Sequence, residues 1–98
     1  MITDFLETGI ENAKTGRELA RLLHCDIRDV TKSIEKARRA GAPIISSCNP
    51  EQPGYYLAET PEELQNYCSR LHQRAGEIFK TRRALLQTAA DMQQEPKQ

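Results

Sequence analysis

The sequence predicts one small, mainly α-helical domain that carries a short β-hairpin and ends in a long helix. Three observations define that class. Two capping boxes, Thr15-Gly16-Arg17-Glu18 and Thr60-Pro61-Glu62-Glu63, mark helix starts, because a Thr oxygen accepts from a free backbone N–H while the Glu reaches back toward the cap. Apolar residues recur at three- and four-residue steps behind each box. Two β-rich runs, Pro43-Ile44-Ile45-Ser46-Ser47 and Tyr55-Tyr56-Leu57-Ala58, flank a loop with two prolines and a glycine. A chain of 98 residues leaves room for one core, and its 38% hydrophobic share with five aromatic residues is enough to fold, with little to spare.

Ile2, Phe5, Leu6 and Ile10 have the spacing of a short opening helix, which Gly9 is placed to stop in a left-handed cap. The helix opened by Thr15 begins near Gly16, has Leu19, Ala20, Leu22 and Leu23 as its buried stripe, and ends near His24 and Cys25. Asp26 caps the next helix, whose inward face is Ile27, Val30, Ile34 and Ala37 and which runs to Gly41. About three residues separate these two helices, so they must cross sharply around shared apolar contacts. The hairpin follows, and Pro61 then sits at the first position of the last helix. There Leu64, Cys68, Leu71, Ala75, Ile78, Leu85, Ala89 and Met92 step by four and three, with Arg82 breaking the series. Gly76 costs ~1 kcal/mol against Ala in a helix interior and marks a place for a bend. The domain organisation read from this is a core domain over residues 1–60, a terminal helix over 61–92 and a disordered tail over 93–98.

Fourteen basic and fourteen acidic residues give a net charge of zero, so no global field draws the chain to a polyanion. The charge is clustered, however. Residues 14–41 hold eight basic groups (Lys14, Arg17, Arg21, Arg28, Lys32, Lys36, Arg38, Arg39) against four acidic ones, and residues 42–63 hold four Glu and no base. An odd set of cysteines, Cys25, Cys48 and Cys68, without paired spacing argues for a reducing compartment. Asp4 and Glu7 stand where a secretion signal is basic, and no long apolar run is present, so a cytoplasmic protein without a membrane segment is expected.

Thr15-Gly16-Arg17-Glu18-Leu19-Ala20, Ile27-Arg28-Asp29-Val30 through Ile34, Arg39-Ala40-Gly41-Ala42-Pro43-Ile44 and Gly54-Tyr55-Tyr56-Leu57 follow one another in a run that resembles the winged helix-turn-helix of bacterial and phage regulators, the DNA-binding domain of the biotin-operon repressor among them. The likeness covers about residues 14–58. It implies a winged helix-turn-helix with a long C-terminal helix, acting as a sequence-specific binder of double-stranded DNA in transcription regulation. The second helix of the pair then enters the major groove. At 100° per residue, Arg28, Lys32, Lys36 and Arg39 lie opposite Val30, Ile34 and Ala37. Arg28, Thr31, Lys32 and Ser33 are nearest the base edges, and Lys36 and Arg39 are placed for phosphates. Lys14, Thr15 and Arg17 at the preceding helix start offer charge and backbone N–H groups to a further phosphate. The hairpin loop departs from the pattern: residues 48–54 hold one acid and no base, so a grip by the wing on the adjacent groove is not expected.

A basic stripe is also an ordinary solvated face, and Glu35 can neutralise part of it through an i,i+4 pair with Arg39. Ser46 and Ser47 are either phosphate contacts or a plain strand edge. Cys68 and His72, one helical turn apart, with His24 and Cys25 are the only candidate metal ligands; without a C-x-x-C pair, and with both thiols at apolar positions, they read as packing, so neither a metal nor a cofactor is expected. No nucleophile motif or phosphate loop suggests catalysis or a small-molecule substrate. Leu64, Tyr67 and Leu71 are expected to pack on the core, while Ile78, Phe79, Leu85 and Leu86 extend past it and are expected to bury against a second copy. The alternative function class is a protein-protein interaction module that uses the same scaffold and its long helix, which the neutral charge and acidic loop favour.

Overall fold

Thr15 closes its box as the sequence predicts. Its Oγ1 accepts from the Glu18 amide at 3.1 Å, and its own amide donates to Glu18 Oε1 at 3.2 Å. Helix α1 (Gly16–Leu23) follows, and three residues, His24 to Asp26, lead into α2 (Ile27–Arg39). His24 makes the turn in the left-handed region at φ 55°, and Asp26 Oδ1 accepts from the Asp29 amide at 2.9 Å to start α2. Strands β1 (Ile44–Ser46) and β2 (Tyr55–Leu57) pair antiparallel with Ile45 opposite Tyr56, and helix α3 spans Pro61–Gln94. The computed structural model describes residues 1–94 and divides into two compact units, Met1–Gln65 and the chain from Asn66 onward.

The core of the first unit is built by period. Leu19 and Ala20 of α1, Val30, Ile34 and Ala37 of α2, and Ile44 of β1 are buried together with Ile2 and Leu6, and Leu23, Cys25, Tyr55 and Leu57 pack at its edge. Alternation along the hairpin places Ile45 and Tyr56, also buried, on its other face. Leu22 and Ile27, both expected inside, are each 49% exposed. Leu22 lies about 100° from the middle of the arc that Leu19, Leu23 and Ala20 define, and Ile27 occupies the first position of α2, with no preceding turn to cover it.

The opening helix is a correction. Ile2–Phe5 and Ile10–Asn12 are two separate 3₁₀ turns, and Gly9 between them has φ 93° and ψ 143°, which is not a left-handed cap. So few residues cannot recover the cost of nucleating an α-helix, and β2 offers the backbone better partners. Gly9 donates to Leu57 O at 3.1 Å, Leu57 donates to Glu7 O at 2.9 Å, and Lys14 and Tyr55 exchange both bonds at 3.0 and 2.7 Å. The opening segment thereby touches β2 at two isolated bridges, parallel at Thr8 and antiparallel at Lys14, with the 3₁₀ turn Ile10–Asn12 between them. Gly54 makes this approach possible: its φ is 121°, and a Cβ there would overlap the Lys14 carbonyl and stand 2.6 Å from the Thr15 nitrogen.

At the start of α3 the Glu63 amide donates to Thr60 Oγ1 at 3.2 Å, while Glu63 Oε2 accepts from the Glu59 amide at 3.0 Å, one residue earlier than a standard box. The helix runs through Gly76 without a break, because a helical glycine with nothing crowding it loses propensity but no hydrogen bond. Gln93 and Gln94, expected in a disordered tail, belong to this helix; residues 95–98 of that tail lie outside the described residues. Leu64 is half-buried and Tyr67 buried, with the Arg70 guanidinium 5.2 Å from the Tyr67 ring centre, but Leu71 is exposed. Among the described residues no helix is long and apolar enough to cross a membrane.

Candidate nucleic-acid interface

The position of α2 is fixed by its apolar face, and that decides what its other face can do. With Val30, Ile34 and Ala37 buried, Arg28, Thr31, Lys32, Lys36 and Arg39 are left exposed, and Ser33 is half-buried at the margin. Thr31, Lys32, Lys36 and Arg39, with Glu35, line a shallow depression along this face. Among the described residues no ion pair or hydrogen bond engages the side chains of Arg28, Lys32, Lys36 or Arg39. Four cations therefore face solvent over three turns of helix. Thr31 Oγ1 donates back to Ile27 O at 3.1 Å, so its hydroxyl proton is engaged while its oxygen can still accept.

Glu35 does not pair with Arg39. Its Oε1 accepts from Arg38 Nη1 at 3.2 Å, and the same guanidinium donates through Nε to Ile44 O at 3.0 Å and through Nη2 to Ser46 Oγ at 3.1 Å. Arg38 thus joins the end of α2 to β1 and draws the Glu35 carboxylate away from Arg39. One spacing signals this role in the sequence: Arg38 is four residues beyond the fully buried Ile34, so it falls on the flank of the inner face. Ser46 is taken by this clamp, and Ser47 Oγ accepts from the Asn49 amide at 3.0 Å. Neither hydroxyl reads as a dedicated phosphate ligand.

The N-terminus of α1 comes close to that of α2, since Gly16 lies beside Ile27. Arg17 is exposed there. Lys14 is half-buried and its Nζ donates to Phe5 O at 2.7 Å, and Thr15 is occupied by its capping box, so these two side chains hold the fold together at this point. The first-turn amides of α1 ahead of the capped Glu18 carry the positive end of that helix's dipole.

The cysteines separate by burial. Cys25 packs against the core, and burial, followed by the negative charges of Asp29 and Asp26, raises its pKa above the ordinary thiol value. Cys68, expected at a buried apolar position, is exposed, as is Cys48. At 100° per residue Cys68 stands about 100° round the helix from the buried Tyr67. Among the described residues no group of three or more His, Cys, Asp or Glu side chains is arranged to hold a metal ion.

Ile78, Phe79, Leu85 and Leu86 of the second unit are all more than half exposed. Ile78, Leu85 and Leu86 line one shallow groove with Arg74, Glu77 and Arg82. Comparison with known protein families, with curated proteins and with solved structures finds no match.

Proposed function

We propose that the chain is a winged helix-turn-helix protein that binds double-stranded DNA by placing α2 in the major groove, as a transcription regulator of bacterial, phage or mobile-element type working in the cytoplasm. The observation that carries this reading is the exposed, unpaired set of Arg28, Lys32, Lys36 and Arg39 on the face opposite the buried Val30, Ile34 and Ala37. Arg28 and Lys32, nearer the helix start, reach base edges together with Thr31 and Ser33, while Lys36 and Arg39 hold phosphates. Arg17 and the amides at the start of α1 take a neighbouring phosphate; Lys14 and Thr15 support that end through their own hydrogen bonds. Two copies joined through Ile78, Phe79, Leu85 and Leu86 present two reading helices to a two-fold site.

The test is anisotropy of a labelled random-sequence duplex across a salt series, comparing the natural chain with Lys32→Ala/Lys36→Ala. Log affinity falls linearly with log salt, and the double variant lowers that slope by roughly 1 to 2 units while its melting curve is unchanged. A salt slope near zero, or one that the variant leaves alone, overturns the assignment of this face. The acidic hairpin loop and the exposed apolar side of α3 favour a second reading, a protein-interaction module, for which neither chain binds DNA in a salt-dependent way.

A further inference from the structure

Along α3 the large apolar residues Leu71, Ile78, Leu85 and Met92 recur every seven positions, and so do Cys68, Ala75, Arg82 and Ala89 between them. In heptad terms the first set fills one core position and the second set the other, with small residues at three of its four places. Two further large side chains, Phe79 and Leu86, each directly follow a member of the large set and widen the stripe on one edge only. The six large residues are 40–69% exposed. At roughly 150–200 Å² per large side chain, that leaves about 600 Å² of apolar surface on each copy, so about 1,200 Å² for two, where specific interfaces begin.

We propose that α3 pairs with α3 of a second copy as an antiparallel two-stranded coiled coil, in the register that sets Ile78 of one copy against Arg82 of the partner subunit. This deepens the proposed dimer and rests on it. Three features select the orientation. In a parallel, in-register pair, like positions meet, so Arg82 lies on Arg82 in the core and Ala75 and Ala89 face their own copies across a gap. Running antiparallel in the stated register, each layer joins a large residue to its complement: Leu71 to Ala89, Ala75 to Leu85, Cys68 to Met92, and Ile78 to Arg82. The arginine stem then packs on the isoleucine while the guanidinium reaches water. The edge carrying Phe79 and Leu86 also meets itself when the helices run in opposite directions. Phe79 meets its symmetry mate at the two-fold axis, and Leu86 covers His72; in a parallel pair, Phe79 instead faces Arg74 and Leu86 faces Thr81.

Charge does not choose between the orientations. The described part of the second unit holds Arg70, Arg74, Lys80, Arg82 and Arg83 against Glu77 and Asp91. Lys80 already pairs with Glu77 at 3.3 Å within the helix. Either orientation in register brings Lys80 beside its own copy, so the choice rests on the size complementarity of the layers and on the Phe79 edge.

Disulfide trapping reads the register directly. In a Cys25→Ala/Cys48→Ser background, two chains are compared: one with Cys68 alone, and one that also has Met92→Cys. Both are oxidised after sedimentation has fixed the mass. Positions 68 and 92 of one helix are ~36 Å apart, so no bond can form within a chain. The expected result is a dimer in which the two-cysteine chain links quantitatively and the Cys68 chain does not. A dimer linked by Cys68 alone overturns the antiparallel register while leaving dimerisation standing, as does a dimer linked by neither. A monomer at high concentration overturns both, and the DNA titration is read independently of each. In the natural chain, Phe79→Ala is expected to weaken the dimer about tenfold or more, with unchanged helix content, and no weakening counts against the pairing.

Discussion

Gly54 sits where the chain has no other choice of residue. Its φ of 121° lies in a region that side chains disfavour, and a Cβ there would run into the Lys14 carbonyl. Gly54→Ala is therefore expected to lower the unfolding free energy by about 2–4 kcal/mol, read as a lower urea midpoint, because strain and overlap act together. Cys25 gives a second test. Its pKa is raised by burial and then by Asp29 and Asp26, so its neutral thiol contributes stability in full below the ordinary thiol pKa, and this is lost as pH rises through the raised one. At neutral pH, a thiol reagent is expected to label the exposed Cys48 and Cys68 first and Cys25 last; fast labelling of Cys25 in the folded protein contradicts its packing. The packing of Cys25 was legible from its apolar position, and the need for Gly54 was not. The Gly-Tyr-Tyr-Leu run announces a strand, but only the arrival of Lys14 alongside it shows why the glycine is needed.

At the scale of elements, the capped helices were legible and the uncapped segment was not. Thr15, Asp26 and Thr60 each hold the amide three residues on, and each marks the start within a residue of where it lies. Such bonds are local, so the sequence alone suffices. The opening segment failed because its partners are forty or more residues away: Ile2, Leu6 and Ile10 fit a helical period, yet the backbone near Gly9 and Lys14 bonds to β2. Arg38 was missed for a different reason: its partners are only six and eight residues on, but they belong to another element. In sequence it is one more base in a basic run, and in space it bridges α2 and β1 through Ile44 O and Ser46 Oγ. Arg38→Met is expected to lower stability by about 1–2 kcal/mol and to speed amide exchange in β1 relative to α1. Equal exchange in both elements would show that the clamp is not what fixes the strand.

For the whole molecule, zero net charge concealed the feature that most bears on function. The bases of α2 and the acids of the hairpin and α3 start cancel in the total but occupy separate segments, so a phosphate at the exposed face of α2 meets Lys32, Lys36 and Arg39 with Glu35 as the one acid among them. That separation is why the salt slope, rather than affinity at one salt, is the measurement that tests DNA binding. The exposed face of α2 was legible from period and charge together, since the buried residues determine where the cations point. The state of α3 was legible only as a repeat, because what covers an apolar stripe depends on a surface the single chain does not provide.

The two bridges from the opening segment to β2 have a practical side. Those opening residues are what keep the outer rim of the hairpin from being a bare row of amides and carbonyls. Trimming them, or fusing a bulky tag that pulls them aside, would hand neighbouring molecules a template for sheet growth. The amino-terminal end is thus the wrong place to shorten this protein, even though it carries no regular helix of its own.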